Sequence, residues 1–337
     1  MRETTPRRRR GAPGAAGAPE AAGALPGPVP HPRYSPAMKI GLQIPSFTWP
    51  GGDAAIGPTF ARIVRAADDA GFDSIWVMDH FFQIPSIGQA EEPMLEGWSA
   101  LAYAAALTKR ATLGLMVGGI HYRQAGLWAK AATTLDVLSG GRAWLGIGAA
   151  WNEQESKGLG FPFPPLGERF EMLEETLRVV HEMWKGDRGT GAAFEGRHYQ
   201  LQRLLNSPQA LQRPHPPIMI GGGGERKTLR LVARYADATN IFGGAENLRH
   251  KYAVLRERCE EVGRPFDEIE RSNLNGFLVS RDGGAESTSP SAMVDRIGTW
   301  HDAGSQHAIF SIRNVSEPGI LELLGRDVVP QVHAMDR

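Results

Sequence analysis

MKIGLQIPSFTWPGG, residues 38–52, is an apolar run that ends in a turn of prolines and glycines. In an open, doubly wound sheet the first strand leads into a G-x-G-x-x-G turn, which brings a helix N-terminus against a pyrophosphate. Here that turn reads QIPSFTWPGG and lacks the spacing. A parallel sheet that starts this way has to be completed in some other manner, and the rest of the chain shows how.

Further short apolar runs follow at 74–78, 112–117, 143–147, 217–220, 238–242, 274–279 and 308–312. Together with 39–44 they make eight. Continuous apolar runs of this length suit parallel strands buried on both faces. Each is followed by a helical stripe. Phe60, Ile63, Val64 and Ala67 form the first, with Gly71 placed to end it in the left-handed conformation. Trp128, Ala131, Leu135 and Leu138 follow the third run, and Phe170, Leu173, Leu177, Val180 and Trp184 the fourth. Ser289 and Pro290 supply an N-cap and first-turn proline for the seventh. Eight strand–helix repeats in about 290 residues is the count of a (β/α)8 TIM barrel. About 70 residues separate the fourth strand from the fifth, long enough for an insertion over the barrel mouth. They hold a helix starting near Glu168 and FEGRHYQLQ, which reads as a small hairpin. Glu171, Glu174 and Glu175 read as the solvated face of that helix.

Composition narrows the function. The 337 residues are 42% hydrophobic and carry 37 basic and 37 acidic side chains. That balance gives no reason to expect nucleic acid or a membrane surface as partner. No run approaches the roughly 18 apolar residues of a spanning helix. Residues 1–37 hold six arginines and two acids among Ala, Gly and Pro, and read as a disordered tail ahead of a domain at 38–337. The one cysteine, Cys259, falls on the stripe Leu248, Tyr252, Leu255, Cys259, Val262 and reads as core. The absence of cysteine pairs points to a cytoplasmic protein.

In a barrel, chemistry gathers at the C-terminal strand ends. The second strand ends in Asp79-His80, and an imidazole there can move a proton near neutral pH. The fourth ends in Gly148, Ala149, Ala150, Trp151 and Asn152, small residues against which a flat ring could lie. The fifth ends in Gly221, Gly222, Gly223 and Gly224 before a helix expected near Glu225. Glycine backbone at a helix start is suited to cradle a phosphate. Gly118 and Gly119 mark a bulge or close backbone approach, and His121 reads as a surface histidine. There is no H-E-x-x-H or cysteine pair for a metal, and no G-x-S-x-G elbow for acyl transfer.

SIWVMDHF, LMVGGIHYRQAGLWAKAATTLDVLSGGRAWLGIGAAWNEQE, FPPLGERFEMLEETLRVVHEMW and RPHPPIMIGGGGERKTLRLVARYAD together resemble the luciferase-like monooxygenase superfamily. More narrowly they resemble its branch of oxidoreductases that use the deazaflavin coenzyme F420. The resemblance implies a TIM barrel with an insertion between strands 4 and 5. It implies His80 as the catalytic residue, with Asp79 orienting it or the cofactor. It places a non-prolyl cis peptide near Met116, Val117 and Gly118, behind the deazaflavin ring. Gly148, Ala149 and Asn152 match positions that touch the cofactor, and the glycine run matches the loop that holds its phosphate. Phe47, Phe82 and Trp151 are expected to line an apolar substrate pocket. The family's sugar-phosphate dehydrogenases carry a glutamate after the fourth strand, where this chain has Trp151 or a shifted Glu153. Ala125 stands where proline is frequent. The activity implied is hydride transfer between F420 and a small organic molecule. The rivals are an FMN-dependent monooxygenase on the same barrel and a flavin-binding protein without turnover. Homodimers are common among such proteins.

Overall fold

The computed structural model describes residues 37–335 together with a two-residue strand at Val29–Pro30. The rest of the tail expected at 1–37 lies outside the described residues. Eight parallel strands form the barrel: β1 (Lys39–Ile44), β2 (Ser74–Val77), β3 (Thr112–Leu115), β4 (Ala143–Gly148), β5 (Ile218–Gly221), β6 (Ala238–Phe242), β7 (Glu270–Phe277) and β8 (His307–Ile312). Each pairs with the next, and β8 returns to β1 with His307 opposite Lys39, so no edge is left open. The helices between them are α1 (Asp53–Ala70), α2 (Gly97–Leu107), α3 (Ala125–Ser139), α4 (Glu153–Gly158), α5 (Leu166–Trp184), α6 (Thr228–Tyr235), α7 (Ala245–Val262) and α8 (Pro290–Asp302), followed by α9 (Ile320–Asp327) and α10 (Val329–His333).

Two apolar layers hold this arrangement. Outside the barrel, Phe60, Ile63 and Val64 of α1 are buried with Ile40, Leu42 and Ile44 of β1. Each such side chain contributes about 1.5–3 kcal/mol. Inside, Trp76, Trp144, Met116, Met219, Leu274 and Ile309 fill the lumen, with the two indoles edge-to-face at 5.7 Å. Gly114 makes room for them, since a Cβ there would come within 2.5 Å of the Trp76 ring. Gly71 ends α1 in the left-handed conformation and Ser289 caps α8, as their residue types predict. Cys259 is buried, as expected.

The structure departs from the sequence reading at particular elements. β7 begins at Glu270, four residues before the predicted run, because its first half (Glu270, Arg271, Ser272, Asn273) is polar yet buried. β3 stops at Leu115, and its line resumes at Gly118–Gly119. Gly114 faces Trp144 and Gly118 faces Ile147, so four steps on this strand span three on β4. One extra residue is therefore bulged out of the ladder. The helix after the glycine run starts at Thr228, because Glu225, Arg226 and Lys227 form a turn first. The insertion contains the expected hairpin, Phe194–Glu195 against Gln200–Leu201. Glu175 is not solvated: it is buried and accepts the backbone N–H groups of Arg197, His198 and Tyr199, tying the hairpin to α5.

Candidate active site at the barrel mouth

The Met116–Val117 peptide is cis, at the position expected for it. Its surroundings explain several glycines. A Cβ on Gly146 would lie 1.8 Å from the Leu115 carbonyl oxygen, one on Gly148 3.1 Å from Val117 Cγ2, and one on Gly221 2.8 Å from the same methyl. These glycines admit the bulge and its valine between β4 and β5. Beyond them opens a cavity of about 780 Å³, bordered by strand ends on all sides.

His80 borders this cavity just past β2. Its Nδ1 lies 2.5 Å from Glu155 Oε1, and the same oxygen accepts the Tyr122 hydroxyl at 2.5 Å. Glu155 Oε2 accepts the backbone N–H groups of Phe81 at 2.6 Å and Phe82 at 3.2 Å. Burial alone would push the Glu155 carboxyl up, but the bonds from His80, Tyr122 and Phe81 hold it below the ordinary carboxylate value. Glu155 is therefore an anion with all its accepting capacity used, so His80 Nδ1 must donate. Only Nε2 of the imidazole is left for a ligand. The edge of the Trp151 ring meets His80 at 5.5 Å.

The carboxylate bonded to His80 is Glu155 and not Asp79, which was expected to orient His80 or the cofactor. Both oxygens of Asp79 engage Arg123, at 2.6 and 2.8 Å, and one also accepts the Gly119 N–H at 3.1 Å. Burial pushes the Asp79 carboxyl up, against the pull of Arg123. Arg123 reaches on to Glu96, whose side chain caps α2. Asp79 thus fastens the bulged strand to the end of β2 while itself bordering the cavity.

The remaining expected residues divide. Val117, Gly118, Gly148, Ala149, Gly221, Gly222, Gly224 and Trp151 border the cavity. Asn152 does not: it is buried, and its Oδ1 caps α4 by accepting the Gln154 N–H. Gly223 faces the Lys251 side chain instead. Phe47 is a core residue, 1% exposed, packed edge-on against Phe60 and Trp49. Phe82 lies against Gly158 of α4, away from the cavity wall. His121 is buried rather than on the surface, with Nε2 at 2.7 Å from Ser156 Oγ. Burial and the neighbouring Arg169 push its imidazole down to about 4.

Sequence reading missed Glu155 and Tyr122. The available signal was misleading: Asn152-x-x-Glu155 has the spacing of a capping box. Asn152 does cap α4, but Glu155 turns away from the helix start and crosses to β2. Among the described residues no cluster of His, Cys, Asp and Glu is suited to a metal, and no helix is long and apolar enough to cross a membrane.

A bulged third strand, a glycine loop after the fifth and a histidine after the second meet at the mouth of this (β/α)8 barrel. Residues 38–306 match the family model described as luciferase-like monooxygenase, and the chain belongs to that family. It is 28% identical over 333 residues to an F420-dependent glucose-6-phosphate dehydrogenase of Nakamurella multipartita, covering 83% of this chain and 94% of that one. It is 36% identical over 232 residues to another enzyme of that name from Intrasporangium calvum, covering 65% of each. Among solved structures, an F420-dependent secondary alcohol dehydrogenase in complex with an F420-acetone adduct shares the fold at a TM-score of 0.74 and 18% identity, over 88% of this chain and 99% of that one.

Proposed function

We infer that the protein is an F420-dependent oxidoreductase in which His80 manages the proton that accompanies hydride transfer to or from a small organic substrate. The observation that carries this reading is the His80–Glu155 pair, 2.5 Å apart at the edge of a cavity large enough for a tricyclic cofactor and a substrate together. The residues fit the cofactor. Gly222 has φ of 112°, a conformation open to glycine, and the N–H groups of Gly223 and Gly224 donate to no protein acceptor among the described residues. Lys227 is exposed beside this loop, and Lys251 lies at 2.6 Å from Glu225. Gly222, Gly223 and Gly224 would hold the phosphate there, and Val117 with Gly148 and Ala149 would back the ring.

When bound, F420 supplies a ring that accepts or donates a hydride. His80 handles the other half of the reaction. With Nδ1–H donated to Glu155, Nε2 presents a lone pair to the cavity. It takes the proton of a substrate hydroxyl as the carbinol carbon gives up its hydride and becomes a carbonyl. In reverse, protonated Nε2 returns that proton to the carbonyl oxygen. Such a group contributes about 10²–10⁴-fold in rate. Glu155 fixes the tautomer and faces the imidazolium with a negative charge.

Titrating the purified full-length chain with F420 and with FMN, followed by visible absorbance and by reduction of each, tests this reading. F420 is expected to bind at least tenfold more tightly and to exchange hydride. Preference for FMN with oxygen consumption would refute it.

A further inference from the structure

The walls of the cavity say more about the substrate than about the cofactor. Among the described residues none of its bordering side chains is Lys or Arg. Lys227, over the Phe170 ring at 5.4 Å, stands on the glycine-loop side, where the cofactor phosphate is placed. Three other cations near the mouth are held by protein partners. Arg123 is held by Asp79 and Glu96, Arg169 by the carbonyls of Ala149 and Pro164, and Lys251 by Glu225. Apolar surface, by contrast, is concentrated there. Ile87, Trp151, Leu166 and Phe242 border the cavity while remaining 41%, 58%, 53% and 59% exposed, from three different stretches of the insertion and loops and one strand end. Soluble proteins rarely leave large apolar side chains gathered in one place unless something covers them.

Resting on the F420 reading above, we propose that the substrate is an uncharged molecule with an apolar body and a single carbonyl or carbinol oxygen, not a phosphorylated sugar. A phosphate dianion carried into this space would lose its water and find no cation on the cavity wall in exchange. The backbone N–H groups of Gly223 and Gly224 at the mouth would already be engaged by the cofactor phosphate. The apolar body lies instead among Trp151, Ile87, Leu166 and Phe242, and its oxygen meets His80 Nε2. This sets the chain apart from its relatives named for glucose 6-phosphate.

The test is calorimetric binding to the F420-loaded full-length protein of a neutral panel (carvone, menthone, borneol) and of glucose 6-phosphate, with F420 affinity measured first. At least one neutral probe is expected to bind ten or more times more tightly than glucose 6-phosphate. Trp151→Ala and Phe242→Ala are each expected to weaken that probe about fivefold to tenfold and to leave F420 affinity within twofold. The proposal is overturned if glucose 6-phosphate binds as tightly as every neutral probe, if no neutral probe saturates, or if both substitutions leave the neutral probe unchanged. Failure of F420 itself to bind overturns the cofactor reading; intact F420 binding with a preference for glucose 6-phosphate overturns only the substrate class.

Discussion

The barrel carries a histidine–glutamate pair at each end, and the two differ in what meets the far nitrogen of the ring. At the mouth, Glu155 holds His80 Nδ1 at 2.5 Å, and the ring borders the cavity. At the floor, Glu270 of β7 holds Nδ1 of His307, the first residue of β8, at 2.8 Å. There Nε2 meets Ser74 Oγ at 2.8 Å, and that hydroxyl accepts Trp76 Nε1–H at 2.6 Å. Lys39 closes the cluster from the other side of Glu270 at 2.6 Å. Gly41 gives the serine and histidine their space, since a Cβ there would lie 2.4 Å from Ser74 Oγ. The floor resembles a nucleophile–histidine–acid chain, yet Ser74 is fully buried and its oxygen is occupied. The same pair of residue types leaves one ring nitrogen open at the mouth and none at the floor.

The strongest test of that contrast removes each histidine's partner or the histidine itself. His80→Ala should lower turnover about 10²–10⁴-fold while F420 affinity and the unfolding midpoint change little. Full turnover in the variant would move His80 from chemistry to scaffolding. At the floor the effects should trade places. Burial would raise the Glu270 carboxyl, but Lys39 and His307 overcome it and hold it well below the ordinary range. Glu270→Ala strands Lys39 and His307 and should cost about 3–5 kcal/mol in denaturant unfolding, with F420 affinity unchanged. Because the folded carboxyl titrates lower than the unfolded one, its contribution is complete above pH 4.5 and is withdrawn as pH falls below that. Stability of the variant should therefore change less in that acid range than that of the parent.

A third histidine sharpens the contrast, because it is buried without an acidic bond. His121 lies between Ser156, the Tyr122 and Phe163 rings and the charges of Arg169 and Glu155. Its folded value of about 4 lies below the ordinary 6.5, so the unfolded chain binds the extra proton first. Stability should thus fall as pH drops from 6.5 toward 4, by up to about 3 kcal/mol for this group. His121→Gln should flatten the pH dependence of unfolding across that window. An unchanged slope would place the acid sensitivity elsewhere.

The sequence made the barrel readable because seven of its strands are mainly apolar runs, and because Gly71 and Ser289-Pro290 punctuate helices in the expected way. It hid what depends on distant pairing. The polar start of β7 looked like loop because its partners, Lys39 and His307, lie 231 and 37 residues away. Glu155 carried no sequence signal of its bond to His80 because only the fold brings α4 beside the loop after β2. Phe47 looked like a pocket residue because it follows a strand end, but its ring turns inward to Phe60. His80, Trp151 and most of the glycines were legible, since they follow strand ends and border the mouth.

The smallest expected effect separates the two jobs that glycine does here. Gly146→Ala places a methyl 1.8 Å from a backbone oxygen and should disrupt the bulge outright. Gly222→Ala meets no such obstacle: the nearest atom, Thr228 Cγ2, is 3.7 Å from the new methyl. Its cost is conformational, about 1–3 kcal/mol for holding alanine at φ of 112°. The loop can relieve that strain by shifting, which breaks the bond from the Gly222 N–H to the Asn240 carbonyl at 3.0 Å and displaces the two N–H groups that follow. F420 affinity should then fall about tenfold, equivalent to about 1.4 kcal/mol, with little change in the binding of a neutral substrate probe. If Gly222→Ala loses stability but keeps its F420 affinity, the glycine run serves the strand-to-helix turn alone, and the anionic end of the cofactor is held by some other part of the mouth.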